Sequence, residues 1–375
     1  MAGGLFRRFT KKSLVIINVM IAIALIVGCN AKYFNPDRFW FVGLLTIVAP
    51  YLFICILSFF VFWFFAKKKI MLISLITTLV LWNPLGHIFK LRWNSSFENQ
   101  KQFDALRVMS WNVEQFEILN HKKHPEQKQE MINLINSYDP DVACFQEAVL
   151  SDAYPKAINY LPSMVNAWEL KNYYYDYSPL DNFDDKHHFG RIILSKYPII
   201  NKQTISFTPR TYENTFTYVD IVKASDTIRV FNLHLQSLRF SDENRNYIDD
   251  ATQKQNIDFE KSKSVITKMK SAFIKRKLQA EAIHTEIEKS MYPVIVCGDF
   301  NDVPNSYAYS TIGEDLQNCF AKKGSGISRT FTGIAPTLRI DNVFASKQFD
   351  VLQYTRVKEK ISDHYPIITD MTIGK

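Results

Sequence analysis

From Phe39 to Ala66 the chain carries no charged side chain, and only Pro50 interrupts the apolar run. A stretch that long can satisfy its backbone polar groups only as a helix, and it is long enough to cross a bilayer with some tilt. Leu14 to Cys29 is a second uncharged run. Ile70 to Phe89 is a third, weakened by Asn83, Pro84 and His87. Trp40, Trp63, Trp82 and Trp93 sit near the ends of these runs, where interfacial aromatics collect. Residues 1–92 are therefore expected to form three transmembrane helices.

Charge sets the expected orientation. Arg7, Arg8, Lys11 and Lys12 precede the first run, and Lys67, Lys68 and Lys69 follow the second. Both clusters belong on the cytoplasmic side. This predicts an integral protein of the cytoplasmic (inner) membrane, with its N-terminus inside and everything after Arg92 on the outer, periplasmic side. A rival reading keeps that sidedness: "IVGC" (Ile26 to Cys29) fits a lipoprotein cleavage box, which would leave Cys29 lipidated. Lys and Arg outnumber Asp and Glu by 12 to 3 up to Asp104, against 33 to 34 after it. The basic excess thus lies in the first part, and the remainder has no electrostatic footprint for bulk nucleic-acid binding. Five cysteines without C-x-x-C spacing support neither a disulfide framework nor a zinc knuckle. Cys144 and Cys297 fall in strand-like runs, as small hydrophobes do.

Residues 93–105 read as a polar linker, and residues 106–375 as a separate α/β unit. Strand-like segments run at 106–111, 142–146, 191–194, 217–223, 228–235, 294–297, 340–345 and 367–372. Helix-like segments lie at 126–137 and within 256–290. The latter repeats apolar residues at Ile266, Met269, Phe273, Ala280, Ile283 and Ile287. Many strands and few long helices suggest packed sheets with helices outside.

Several strands end in ionisable or hydrogen-bonding residues. "VMSWNVEQFE" brings Asn112 and Glu114, and "VACFQEAV" brings Gln146 and Glu147. "VFNLHLQS" brings Asn232 and His234, and "VIVCGDFND" brings Asp299, Asn301 and Asp302. "LRIDNVF" holds Asp341, and "ISDHYPI" holds Asp363 and His364. Taken singly, each has a structural explanation. Asp299 could cap the segment after Pro304, Asp302 reads as turn chemistry, and His234 could be a satisfied core histidine. Taken together, five converging carboxylates would repel one another unless a hard divalent cation joined them. Two histidines and several asparagines add groups suited to a phosphate oxygen and a leaving group.

The order WN-x-[DE], QE, N-x-H, GDFN, RID and SDH resembles the endonuclease/exonuclease/phosphatase superfamily over Leu106 to Ile373. "GRIILSKYPI" (Gly190 to Ile199) and "SRTFTG" (Ser328 to Gly333) are similar to further family segments. The resemblance implies a four-layer α/β sandwich, two packed mixed β-sheets flanked by helices, with the site at one end. It implies Mg²⁺, with Mn²⁺ as a substitute, held by Glu147 together with Glu114 and Asp363. It implies that Asp299 activates water, Asn301 aligns it and Asn112 orients the metal shell or a phosphate oxygen. Asp341 would fix His364, which contacts the phosphoryl group, and His234 would stand near the leaving oxygen. Glu114 departs from the aspartate common at its position. "HHF" (His187 to Phe189) replaces the glutamate that supports the histidine in some nucleases.

A membrane tether and a neutral domain favour a lipid headgroup or small phosphoester, with the bilayer as the other partner. A tethered nuclease for external DNA or RNA is the alternative. A catalytically silent binding module is the third. "NYYYDYSP" (Asn172 to Pro179) reads as an aromatic, acidic loop.

Overall fold

The computed structural model describes residues 2–93, 96–120, 122–151, 159–182, 186–206, 212–238, 247, 258–333 and 335–374. Asn94 and Ser95 of the expected linker lie outside the described residues.

The N-terminal helices are α1 (Ala2–Cys29), the short α2 (Pro36–Phe39), α3 (Val42–Ala66), α4 (Lys68–Val80) and α5 (Trp82–Ile88). Two of them, α1 and α3, are long and apolar enough to cross a membrane. The third expected span is broken: α4 and α5 meet at 68° and make a span only as a bent pair. Pro84 explains the break, because its ring crowds the carbonyl of Val80, four residues back, and it has no N–H to donate. Apolar packing of Ala22, Leu25, Ala49, Ile56 and Leu85 joins these helices, and Cys29 is buried in the same cluster. Polar contacts add to it: Thr46 Oγ1 donates to Gly28 O (2.9 Å), and Ser74 Oγ donates to Asn18 Oδ1 (3.2 Å).

The rest of the chain builds two six-stranded sheets. The first has the order β11-β12-β1-β2-β4-β3 and the second β5-β6-β7-β8-β10-β9. The strands are β1 (Leu106–Asn112), β2 (Val142–Leu150), β3 (Asn172–Asn182), β4 (His188–Ser195), β5 (Ile199–Ser206) and β6 (Thr215–Lys223). They continue with β7 (Asp226–His234), β8 (Val294–Asp299), β9 (Leu316–Asn318), β10 (Asp341–Ser346), β11 (Phe349–Arg356) and β12 (Ile367–Ile373). Alternating residues of β1, β2 and β4 (Val108, Cys144, Ile193) meet those of β7, β8 and β10 (Val230, Cys297, Val343) in a core between the sheets. The opposite face of the first sheet packs on α6 (Gln127–Tyr138) and α7 (Leu161–Trp168). That of the second packs on α8 (Phe259–Glu288) and α9 (Tyr307–Ile312), whereas Cys319 and Phe320 of α10 (Cys319–Lys323) enter the core between the sheets. The four-layer sandwich is as expected. "NYYYDYSP" is not a loop but part of edge strand β3, paired antiparallel with β4. Two of its tyrosines are tied down: Tyr175 Oη donates to His188 O (2.6 Å), and Tyr177 stacks on His188.

The sandwich sits directly on the N-terminal helices. Phe273 of α8 fills the space beside Gly43, where a β-carbon would lie 2.7 Å from the ring. Lys277 Nζ pairs with Asp37 (2.7 Å), and Asn305 Nδ2 donates to Pro84 O (2.9 Å). His87 Nδ1 lies 2.9 Å from Tyr309 Oη, and Arg339 donates to His87 O.

In each sheet one neighbouring pair is parallel, β1 with β2 and β7 with β8. Their C-terminal ends fall at one edge. Strands β10 and β12 are antiparallel to this set, so their starts reach the same edge. Gly298 makes the last step of β8 fit. At φ 148° it passes so close to β7 that a β-carbon would lie 2.1 Å from Leu233 O. Gly298→Ala is expected to cost roughly 2–4 kcal/mol, to be read as a lowered midpoint in chemical denaturation. An unchanged midpoint would mean that this close approach does not constrain β8.

Candidate active site

Each strand end delivers one group. Asn112 closes β1, and Glu147 leaves β2 at a bulge where the register with β4 slips between Phe145 and Ala148. Glu147 holds φ 54°, an unfavourable backbone for a non-glycine residue, and the bulge turns its side chain out of the strand alternation. His234 ends β7, Asp299 ends β8 and Asp341 begins β10. His364 precedes β12 and is held by Trp111 Nε1 donating to its carbonyl (2.9 Å).

These groups meet around Asp299, which is 1% exposed. Asp299 Oδ2 accepts from Asn112 Nδ2 (3.2 Å) and Asn301 Nδ2 (3.3 Å), and Oδ1 accepts from the Asn301 amide (2.8 Å). Two imidazoles flank it, His234 Nε2 at 3.6 Å and His364 Nε2 at 3.7 Å. Glu147 Oε1 lies 3.1 Å from His234 Nε2 and accepts from Asn112 Nδ2 (3.0 Å). His364 Nδ1 lies 2.8 Å from Asp341 Oδ2. The Asp363 amide donates to Glu114 Oε2 (2.9 Å), which ties these two acids together. The nine residues given roles by the family resemblance thus converge. Glu114, Glu147, Asp299, Asn301, Asp363 and His364 line a cavity of about 500 Å³. Asn112, His234 and Asp341 stand behind them.

The electrostatics are uneven. Burial, reinforced by the Asp341 charge, raises the Asp299 carboxyl to about 6 against the pull of His364 and His234. Burial also pushes Glu147 up, but the hydrogen bond and charge of His234, with help from Asn112 and His364, prevail and bring it to about 2. Burial disfavours charge on His364, yet the Asp341 and Asp299 carboxylates raise it well above an ordinary histidine. Burial raises Asp363 as well. One pocket therefore holds a fully ionised carboxylate, a carboxylate that titrates near neutrality and an imidazolium. Asp299, Asp341 and His364 also offer atoms within 4.8 Å of one another, close enough to share an ion. A protonated His364 committed to Asp341 is a poor ligand, however.

Three contributors were not found by reading the sequence. Tyr212 sits in a short turn, accepts from the Glu147 amide (2.8 Å) and packs against His234. Nothing local marks it. Ile47 of α3 lines the cavity and was hidden in a helix apolar on every side. Arg276 of α8 lines it too. It occupies the gap in the apolar series Met269, Phe273, Ala280, Ile283, and that interruption was a readable signal.

Two packed mixed sheets with a buried carboxylate–imidazole cluster at one edge define a sandwich hydrolase. The chain belongs to the Endonuclease/Exonuclease/phosphatase family, whose model matches residues 109–364. This family includes phosphatases, phosphodiesterases and nucleases, and its enzymes are typically divalent-metal dependent. A model described only as a domain of unknown function matches residues 11–88. No curated protein matches the chain. Among solved structures, an endonuclease/exonuclease/phosphatase from Beutenbergia cavernae DSM 12333 is similar at 18% identity and TM-score 0.51, covering 72% of each chain. One from Bacteroides vulgatus is similar at 16% identity and TM-score 0.51, covering 72% of this chain and 99% of that one. At these identities the likeness shows the fold.

The raised Asp299 carboxyl has a stability consequence. Between its unfolded value, about 3.8, and its folded value, about 6, the folded state binds the extra proton, so stability falls as pH rises through that window. Above it the cost is on the order of a few kcal/mol. In metal-free protein, Asp299→Asn should raise the melting temperature at pH 7.5, and the gain should fade near pH 4. A gain of equal size at both pH values would contradict this origin.

Proposed function

We propose that the chain is a membrane-anchored, divalent-metal-dependent phosphoesterase that hydrolyses a phosphodiester or phosphomonoester by attack of water. Residues 1–92 anchor it, 93–105 connect and 106–375 carry the chemistry. One observation carries the reading. Asp299, titrating near neutrality, lies within reach of two imidazoles and beside an ionised Glu147 at the converging strand ends.

The donors fit a hard cation, Mg²⁺ or Mn²⁺. Glu147, Glu114 and Asp363 line the same cavity, and the Glu147 charge is among those that raise Asp363. When bound, the ion would neutralise these acids and polarise the phosphoryl oxygen. Asp299 takes a proton from the attacking water, its oxygens held by the Asn301 amide and by Asn112. Asp341 fixes His364 in its charged form, whose Nε2–H stabilises the charge that builds on the phosphoryl oxygens. His234 stands at the leaving oxygen, with Asn301 Nδ2 3.5 Å from its Nε2.

Two features support a membrane-borne substrate, favouring a lipid headgroup over a nucleic acid. Ile47, from a helix long enough to span a bilayer, forms part of the cavity wall. The chain after Asp104 has no basic excess. Lys11 and Lys67 meet at the far end of the helices from the sandwich, which supports the outward-facing orientation. A reporter active only in the cytoplasm, fused after Lys375, should stay silent; signal from it would reverse the sidedness.

The full-length protein with Mg²⁺ should hydrolyse bis(4-nitrophenyl) phosphate and lose that activity in EDTA. Asp299→Asn or His364→Ala should lower kcat by about 10²–10⁴-fold. Undiminished turnover in both variants would sink the mechanism. In the loaded enzyme the rate should rise with pH through the Asp299 titration, at or below about 6, because a bound cation favours the carboxylate. Parallel assays on phospholipid vesicles, RNA and plasmid DNA separate the substrate classes; nicking of DNA without lipid turnover would make the protein a tethered nuclease.

A further inference from the structure

Arg276 is 2% exposed, yet it is poorly paired. Its Nε donates to Ala272 O (3.3 Å), one turn back in its own helix, and lies 3.7 Å from Asp302 Oδ2. Asp302 commits its other oxygen to the Val303 amide (3.0 Å). The terminal guanidinium nitrogens make no hydrogen bond to any described residue, although the side chain lines the active-site cavity beside Asp299, Asn301 and Asp302. Its terminal nitrogens open onto the cavity, and a guanidinium with one long ion pair there is poised to take an anion. Burial already works against its charge, and the carboxylates acting on it are Asp302 and then Asp299.

The local build fixes it there. Phe273, one turn earlier on α8, lies under the guanidinium (5.1 Å from the ring centre) and is itself pressed against Gly43 of α3. Ile47, one turn further along α3, lines the same cavity. The cation is therefore clamped where the sandwich meets the membrane helix.

We propose that Arg276 forms a second anion subsite, separate from the acid–histidine cluster, which receives a non-scissile phosphate or carboxylate of the substrate. The substrate is then a phosphoester bearing a second anionic group, either on a lipid in the bilayer or on a free small molecule. This rests on the phosphoesterase reading of the site, but its test needs no turnover.

The experiment is calorimetry on the full-length protein in phosphatidylcholine nanodiscs with EDTA present, using inorganic phosphate and pyrophosphate as probes. Wild type should bind pyrophosphate more tightly than phosphate, because the second phosphoryl group reaches Arg276. Arg276→Met should remove most of that preference, about tenfold or more, and Arg276→Lys should keep part of it. Asp302→Asn removes the competing carboxylate and should tighten pyrophosphate binding, a direction that misfolding does not produce. Equal preference in wild type and Arg276→Met, or weaker binding in Asp302→Asn, would overturn the subsite whether or not the enzyme turns over with Mg²⁺. With dioleoyl phosphatidate added to the nanodiscs, loss of pyrophosphate binding assigns the subsite to a lipid phosphate, and unchanged binding assigns it to a soluble ligand.

Discussion

Everything at the working edge of the sandwich depends on keeping a carboxylate charged where water hardly reaches. Asp299 is buried, and its charge survives only because two amide side chains, one backbone N–H and two imidazoles surround it. That requirement explains local features that would otherwise look like defects. The left-handed backbone at Asn301 (φ 49°) returns its amide to the carboxylate two residues earlier. The bulge at Glu147 aims a second carboxylate at the imidazole that also faces Asp299. Below this layer, Gln146 Nε2 donates to Asn232 Oδ1 (2.7 Å), and Asn232 Nδ2 donates to Phe145 O and Ile192 O (3.0 Å each). This buried polar clamp joins the two sheets directly beneath the site and holds its two halves in register.

The N-terminal helices are part of the same construction. Contacts from Asp37, Gly43, Pro84 and His87 reach three separate parts of the sandwich: α8, the turn after β8, and α9. A tether needs one flexible connection. Several short-range contacts made by different elements hold an orientation instead, and the orientation held here places Ile47 in the cavity wall. Isolated β-bridge bonds between Lys90 and Gly326 (3.1 and 2.7 Å) pin the chain as it leaves α5.

Legibility followed how local each cause was. Strand ends that carry polar residues are visible in sequence, because an apolar run that stops at Asp or His breaks a period; the nine residues to which the family resemblance gave roles come from such ends, and they lie together at the site. The bend in the third span was not readable, because hydropathy sums over Pro84, whereas the helix feels it as a clash with one carbonyl. Strand β3 was taken for a loop because three consecutive tyrosines, an aspartate and a fourth tyrosine show no apolar–polar alternation, so neither face announces a core. Tyr212 and Ile47 were invisible for a different reason. Their roles come from long-range contacts, and a tyrosine in a turn or an isoleucine in a wholly apolar helix carries no local mark. Arg276 lay between these cases, since a charge on an otherwise apolar helical stripe is a local anomaly whose meaning depends on what the stripe faces.

Charge is distributed in a way that fits a site of local rather than global attraction. Past Asp104 acids and bases nearly balance, so no long-range field draws a polyanion to the sandwich. Among the described residues that line the cavity, the positive groups His364 and Arg276 are buried and set among carboxylates. Buried charges of this kind act over a few ångströms and discriminate by geometry, whereas an exposed basic surface would act over a Debye length and discriminate little. Such a site supports recognition of a compact anion already delivered to its mouth. Ile47, from a helix long and apolar enough to cross a membrane, stands in the wall of that cavity.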